Sequence, residues 1–171
     1  MRKGPDILAR IVASLLCGAT LGAPAQAATV SAPVNAAPVK PLVIKKLQDL
    51  DLGTVTLGPG AWSNATVSIS QAGVLNCGSA NLTCTGATQP AQYNVQGSNR
   101  ETIRISVPNV TLVNQNDTTQ TLTLVSDAPA SLVLTNSGFP GADFSIGGSV
   151  SLNSTTSGGT YVGTFNVTVD Y

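Results

Sequence analysis

Histidine is absent from this chain of 171 residues, and only 9% of the residues carry a charge. The missing imidazole removes the commonest general base, metal ligand and physiological pH switch together. Charge of one sign is also lacking: eight basic residues face eight acidic ones. No basic stripe is available to neutralise phosphates, so nucleic-acid binding has no electrostatic basis. Glu101 is the sole glutamate, and no carboxylate pair stands out for glycoside hydrolysis. Serine is common, but no nucleophile-elbow motif surrounds any of it. Together these absences predict a protein that is not an enzyme and needs no cofactor and no metal. What remains is 42% hydrophobic residues with 17 Gly and 10 Pro in no collagen-like repeat, the composition of a packed globular domain.

Residues 1–27 have the pattern of a secretory signal peptide, with Arg2, Lys3 and Arg10 leading, an apolar stretch from Ile11 to Leu21, and Ala25-Gln26-Ala27 as the cleavage site. The apolar stretch is broken by Ser14, Cys17, Gly18 and Thr20 and falls short of the roughly 20 residues a spanning helix needs. Export to the periplasm, then to the cell surface or medium, is the expectation, without stable membrane insertion. The remaining 144 residues hold five bases and seven acids, a net charge of −2. They also hold two cysteines, Cys77 and Cys84, which an oxidising compartment would join. A metal site would need further ligands, and none is near in sequence.

From residue 50 onward, short alternating segments rich in Val, Thr, Ile and Leu are punctuated by Gly, Pro, Asn, Asp and Ser. This pattern predicts strands at 50–57, 65–70, 82–85, 91–96, 102–107, 110–113, 121–125, 131–135, 144–146, 149–152 and 161–171. Many short strands and frequent turns imply an all-β sandwich or barrel. Thr, Ser and Asn make up 46 of the 144 residues, which suits solvated outer faces without adding charge. In the last segment Tyr161, Gly163, Phe165, Val167, Val169 and Tyr171 share one face. A slip of one residue would turn the aromatics to water, so its register is strongly specified. Gly163 lacks a side chain where its neighbours are bulky, which predicts a close approach there.

Residues 28–41 differ in kind. Val30, Ala32, Val34 and Ala36 alternate with Thr29, Ser31, Pro33 and Asn35, and Pro38 and Pro41 follow. Small side chains and a proline suit an added edge strand better than the centre of a sheet. A disordered Ala/Pro-rich linker is the competing reading.

Several separated motifs carry a family resemblance. Asp49-Leu50-Asp51-Leu52-Gly53, the run Ala91-Gln92-Tyr93-Asn94-Val95-Gln96-Gly97, Thr102 to Pro108, Ile146-Gly147-Gly148-Ser149-Val150-Ser151-Leu152 and Gly159 to Tyr171 occur in the order seen in the DUF4402 proteins of Gram-negative bacteria. The chain resembles that family over residues 40–171. The family is similar in layout to spore-coat U and other fimbrial subunits assembled by a periplasmic chaperone and an outer-membrane usher. The resemblance implies an immunoglobulin-like, pilin-like β-sandwich at 42–171 with an extended amino-terminal segment at 28–41. Such a sandwich lacks its last strand. A neighbour's segment fills the groove by strand addition, here with Val30, Ala32, Val34 and Ala36 as donor and the Tyr161–Tyr171 strand as acceptor edge. One repeated head-to-tail contact gives a homopolymer or a fibre of related subunits. Folding of the segment back onto its own domain, as a self-complemented monomer, fits the same residues.

A surface adhesin or carbohydrate-binding module is the other class to weigh. Trp62, in Gly58-Pro59-Gly60-Ala61-Trp62-Ser63-Asn64, could stack on a sugar ring, as could Phe139 in Ser137-Gly138-Phe139-Pro140-Gly141. The favoured reading has Trp62 covering one end of the core.

Overall fold

The structure, a computed structural model, describes residues 29–171. The signal peptide expected at 1–27, with Cys17, lies outside the described residues. The chain divides into two units, Met1–Ala36 and Ala37–Tyr171. Of the first, residues 29–36 are described; they form no strand and are exposed.

The second unit is built from strands alone: β1 (Val43–Gln48), β2 (Thr54–Leu57), β3 (Ala65–Ile69), β4 (Leu75–Asn76), β5 (Leu82–Thr85), β6 (Ala91–Gln96), β7 (Thr102–Ser106), β8 (Val110–Asn114), β9 (Thr121–Asp127), β10 (Ser131–Val133), β11 (Ala142–Leu152), β12 (Tyr161–Val162) and β13 (Thr168–Asp170). The described residues contain no helix long and apolar enough to cross a membrane.

Alternation decides which side chains face inward. In β3, Ala65, Val67 and Ile69 are buried while Thr66 is exposed; in β7, Ile103 and Ile105 are buried between exposed Thr102, Arg104 and Ser106. Such half-buried antiparallel strands are stable only when their apolar faces are stacked. One layer is a large sheet in the order β1-β6-β11-β9-β8-β12, with β3 beside β11 and β4 beside β3. The other layer comes in two pieces, the sheet β10-β7-β13 and the ribbon β2-β5.

Strand β11 is the longest strand. Its 11 residues span about 36 Å at the usual rise. Ala142–Ile146 pair with β6, and Gly148–Leu152 pair with β3. Two cores follow end to end. Val95, Ile103, Ile105, Leu134, Phe144 and Ile146 fill the first, between β6-β11 and β10-β7-β13. Val67, Leu82, Val110, Leu124, Val150 and Leu152 fill the second, beneath the β2-β5 ribbon. Leu50 and Phe165 pack against both.

The all-β sandwich expected from the sequence is the fold observed, with five departures in its strands, the short β4 at Leu75–Asn76 being one that was not expected. The segment expected at 50–57 keeps only 54–57, because Asp51 pairs with Gln89 and its carboxylate accepts from the Gly53 amide at 2.8 Å, which turns the chain. Strand β1 at 43–48 was not among the expected strands: its Ile44-Lys45-Lys46-Leu47 centre lacks alternation, and all but Gln48 are exposed. The two strands expected at 144–146 and 149–152 are one, β11. The strand expected at 161–171 is two, β12 and β13, in different sheets.

Candidate functional site: an open cleft between two unpaired edges

Strand β2 has β5 on one edge and no strand on the other. Strand β12 ends the large sheet, and β13 ends the three-stranded one. Between the β2 limb and the carboxy-terminal limb lies an open cleft of about 830 Å³. One wall is the stretch 49–55 with Leu57, and the other is 156–165. Its floor is aliphatic: Val67, Leu112, Leu122, Leu124, Val150 and Leu152, from the inward faces of β3, β8, β9 and β11. These residues belong to or pack against the second core. The cleft therefore runs beside the unpaired edge of β2, over the second core.

At one end of the cleft stand Lys46, Asp49 and Tyr93. Tyr93 stacks on Phe144 with ring centroids 5.6 Å apart. Burial pushes the Tyr93 phenol above its ordinary value; the Lys46 ammonium pulls it back and Asp49 pushes it up. The Lys46 ammonium is itself raised by its 2.7 Å hydrogen bond and charge pairing with Asp49. That pair is exposed, so it adds little stability. Among the described residues no group of three or more His, Cys, Asp or Glu could hold a metal.

Asn114 holds the far wall. It is 1% exposed, at the end of β8. Its Nδ2 donates to the Gly158 carbonyl at 3.0 Å, and its Oδ1 accepts from the Asn116 amide at 2.9 Å. The Gln115 amide donates to the Thr160 carbonyl at 2.8 Å. Asn114→Ala removes both hydrogen bonds of this buried side chain, at about 1–3 kcal/mol together. The expected result is a lower denaturant midpoint together with faster amide exchange at 115–116 and 158–161.

The six residues expected to form the acceptor edge divide. Tyr161, Gly163 and Phe165 line the cleft. Val167 and Val169 pack over the first core instead. Tyr171 is the latch of the domain's start: its hydroxyl donates to the Lys40 carbonyl and accepts from the Ser98 amide at 2.9 Å. The inward alternation survives except at Gly163 and Tyr171, which are exposed: Tyr161, Phe165, Val167 and Val169 are half-buried, and Val162, Thr164, Asn166 and Thr168 are exposed.

The ladder breaks because 163–167 pass the β7–β8 connection. Pro108 there has no amide hydrogen, and its carbonyl and the Asn109 side chain are both engaged by Ser126. The close approach expected at Gly163 is present: a Cβ there would sit 2.8 Å from the Thr111 carbonyl oxygen and from the side chains of Leu112 and Val110.

Trp62 covers one end of the second core, with Nε1 donating to the Gly58 carbonyl at 3.1 Å. Cys77 and Cys84 form a disulfide whose half-buried sulfurs pack on the same core. Closing that short loop stabilises the fold by roughly 2–3 kcal/mol and fixes β5, on which β2 hangs. The proposed donor residues Val30, Ala32, Val34 and Ala36 are exposed, Val30 and Val34 at 92% each. Sequence reasoning missed Val55 and Leu57 on the wall and the whole floor. Their alternation was visible, but it marks only which side chains face inward, not which inward face borders a cleft.

Fold and cleft together define an antiparallel β-sandwich with an open cleft along one side. Residues 42–171 match the family described as a domain of unknown function, DUF4402, and the chain belongs to that family. No curated protein and no solved structure matches it.

Proposed function

We propose that the protein is an exported, non-enzymatic structural subunit whose cleft receives the amino-terminal segment of a second copy by strand addition, building a pilin-like fibre or coat at the cell surface. The observation that carries this reading is an aliphatic cleft bordered by a strand edge on each side, both without partners. Unpaired edges of this kind are templates for another chain. The donor is Val30, Ala32, Val34 and Ala36, an alternating and exposed set. Each valine contributes about 1.5–3 kcal/mol on burial and each alanine less, so the backbone ladder supplies much of the affinity. The leader pattern at 1–27 supports export. The resemblance to fimbrial subunits supports a periplasmic chaperone and an outer-membrane usher as assembly partners.

Light scattering on residues 28–171 tests the reading. The wild-type chain is expected to form concentration-dependent oligomers, and the double variant Val30→Asp, Val34→Asp to remain monomeric, because an unpaired charge is not tolerated over an aliphatic floor. Identical oligomers from both would overturn strand addition. A self-complemented monomer would give no oligomers from either.

A further inference from the structure

Phe139 is 88% exposed, the most exposed aromatic side chain among the described residues. The loop that carries it is nonetheless fastened on every side. The Gly138 amide donates to the Gly97 carbonyl at 3.0 Å, and the Asn99 amide donates to Ser137 Oγ at 3.0 Å. Asn94 Nδ2 donates to the Pro140 carbonyl at 3.0 Å and to the Asp143 carboxylate at 2.6 Å. A ring held out in water by so many ties is preorganised for a partner, because little entropy is lost when it docks. The first core does not use it.

The place of this loop identifies the partner. Gly97 and Ser98 form a common anchor: Gly97 binds the Phe139 loop, and Ser98 binds the root of the amino-terminal segment, through Ser98 Oγ accepting from the Lys40 amide at 2.6 Å and the Ser98 amide donating to Tyr171. Val39, 53% exposed, and Tyr171, 41% exposed, stand at the same end. That end lies beyond the start of β11, since Val43 pairs with Gln96 and Ala142 with Val95. The cleft floor lies toward the other end of β11, at Val150 and Leu152. Only residues 37–39 separate the donor residues from Lys40, a reach of roughly 14 Å at full extension. A second copy that holds the donor in its cleft is therefore drawn close against the end that carries Phe139.

We propose that Phe139, with Val39 and Tyr171, is a subunit contact surface that docks on the cleft rim of the copy that receives this chain's donor segment. The inference rests on the strand-addition reading, and one experiment separates the two. Sedimentation of residues 28–171 compares wild type, Phe139→Ser, Phe139→Leu and the double variant Val30→Asp, Val34→Asp, with circular dichroism to verify that each is folded. Phe139→Ser is expected to weaken association about tenfold, as truncation of a buried interface anchor does. Phe139→Leu should keep most of the affinity, and the donor double variant should abolish association. Unchanged association in Phe139→Ser, with the donor variant still monomeric, overturns this contact and leaves the cleft reading standing. Unchanged association in the donor variant overturns the cleft reading itself.

Discussion

Gly147→Val is expected to be the most destabilising single substitution in the domain. At Gly147 strand β11 passes from β6 to β3, and the end of β3 lies directly on its backbone. A Cβ there would lie far closer to the carbonyl oxygen of Ile69 than van der Waals contact allows and 2.8 Å from the Ser70 carbonyl carbon. Overpacking costs typically about 1–3 kcal/mol where a side chain can yield. Here the obstacle is main chain already held in two ladders, Gly148 against Ile69 and Gly147 against Asp127. The cost should exceed about 4 kcal/mol, a large share of the 5–15 kcal/mol that ordinary domains possess. Ser151→Val provides the control: same strand, same new side chain, but on the exposed outer face, with an expected change within about 0.5 kcal/mol. Circular dichroism and a urea midpoint for each variant check both values.

The same glycine shows where the sequence was legible and where it was not. Alternation placed the strands β3, β7 and β9 and the inward face of the carboxy-terminal limb, because burial with period two is a local property of one strand. The Gly147-Gly148 pair suggested a turn between two strands, since glycine usually marks turns and bulges. The structure uses Gly147 for space, a demand made by Ile69 from 78 residues away and invisible locally. Strand β1 was overlooked for the complementary reason. Val43 to Lys46 pair on one edge with β6 and, like Leu47 in the bulge that follows, stay exposed, so nothing selects for alternation among them.

The cleft was half legible. Tyr161, Gly163 and Phe165 were correctly grouped on one inward face, and the structure puts all three on one wall. Val167, Val169 and Tyr171 share that periodicity but face the first core or the Lys40 root, because the limb crosses from one sheet to the other at the Pro108 connection. Periodicity records inside and outside; it does not record which of two layers a residue serves. Neither does it reveal that β2 keeps one edge bare, since that depends on where every other strand pairs.

A free peptide should restore what the donor variant loses. Take the monomeric chain with Val30→Asp and Val34→Asp and add a synthetic peptide of the wild-type residues 29–41. If the cleft is a strand site, the peptide binds the folded state alone and stabilises it by RT ln(1 + [L]/Kd), about 2.7 kcal/mol at a hundredfold excess over Kd. For a domain of this size that is a rise in Tm of roughly 8–10 °C. The gain should be sequence-dependent: a peptide carrying the same two aspartates must leave Tm where it was, because its charges would face Leu112, Leu122 and Val150 across the cleft floor. It should also depend on the wall. In an Asn114→Ala background the tie to Gly158 is gone, so the edge beside Tyr161 is less ordered and the same peptide concentration should yield a smaller rise. Equal shifts from the wild-type and aspartate peptides would mean nonspecific binding, and no shift from either would leave the cleft without a strand-shaped ligand.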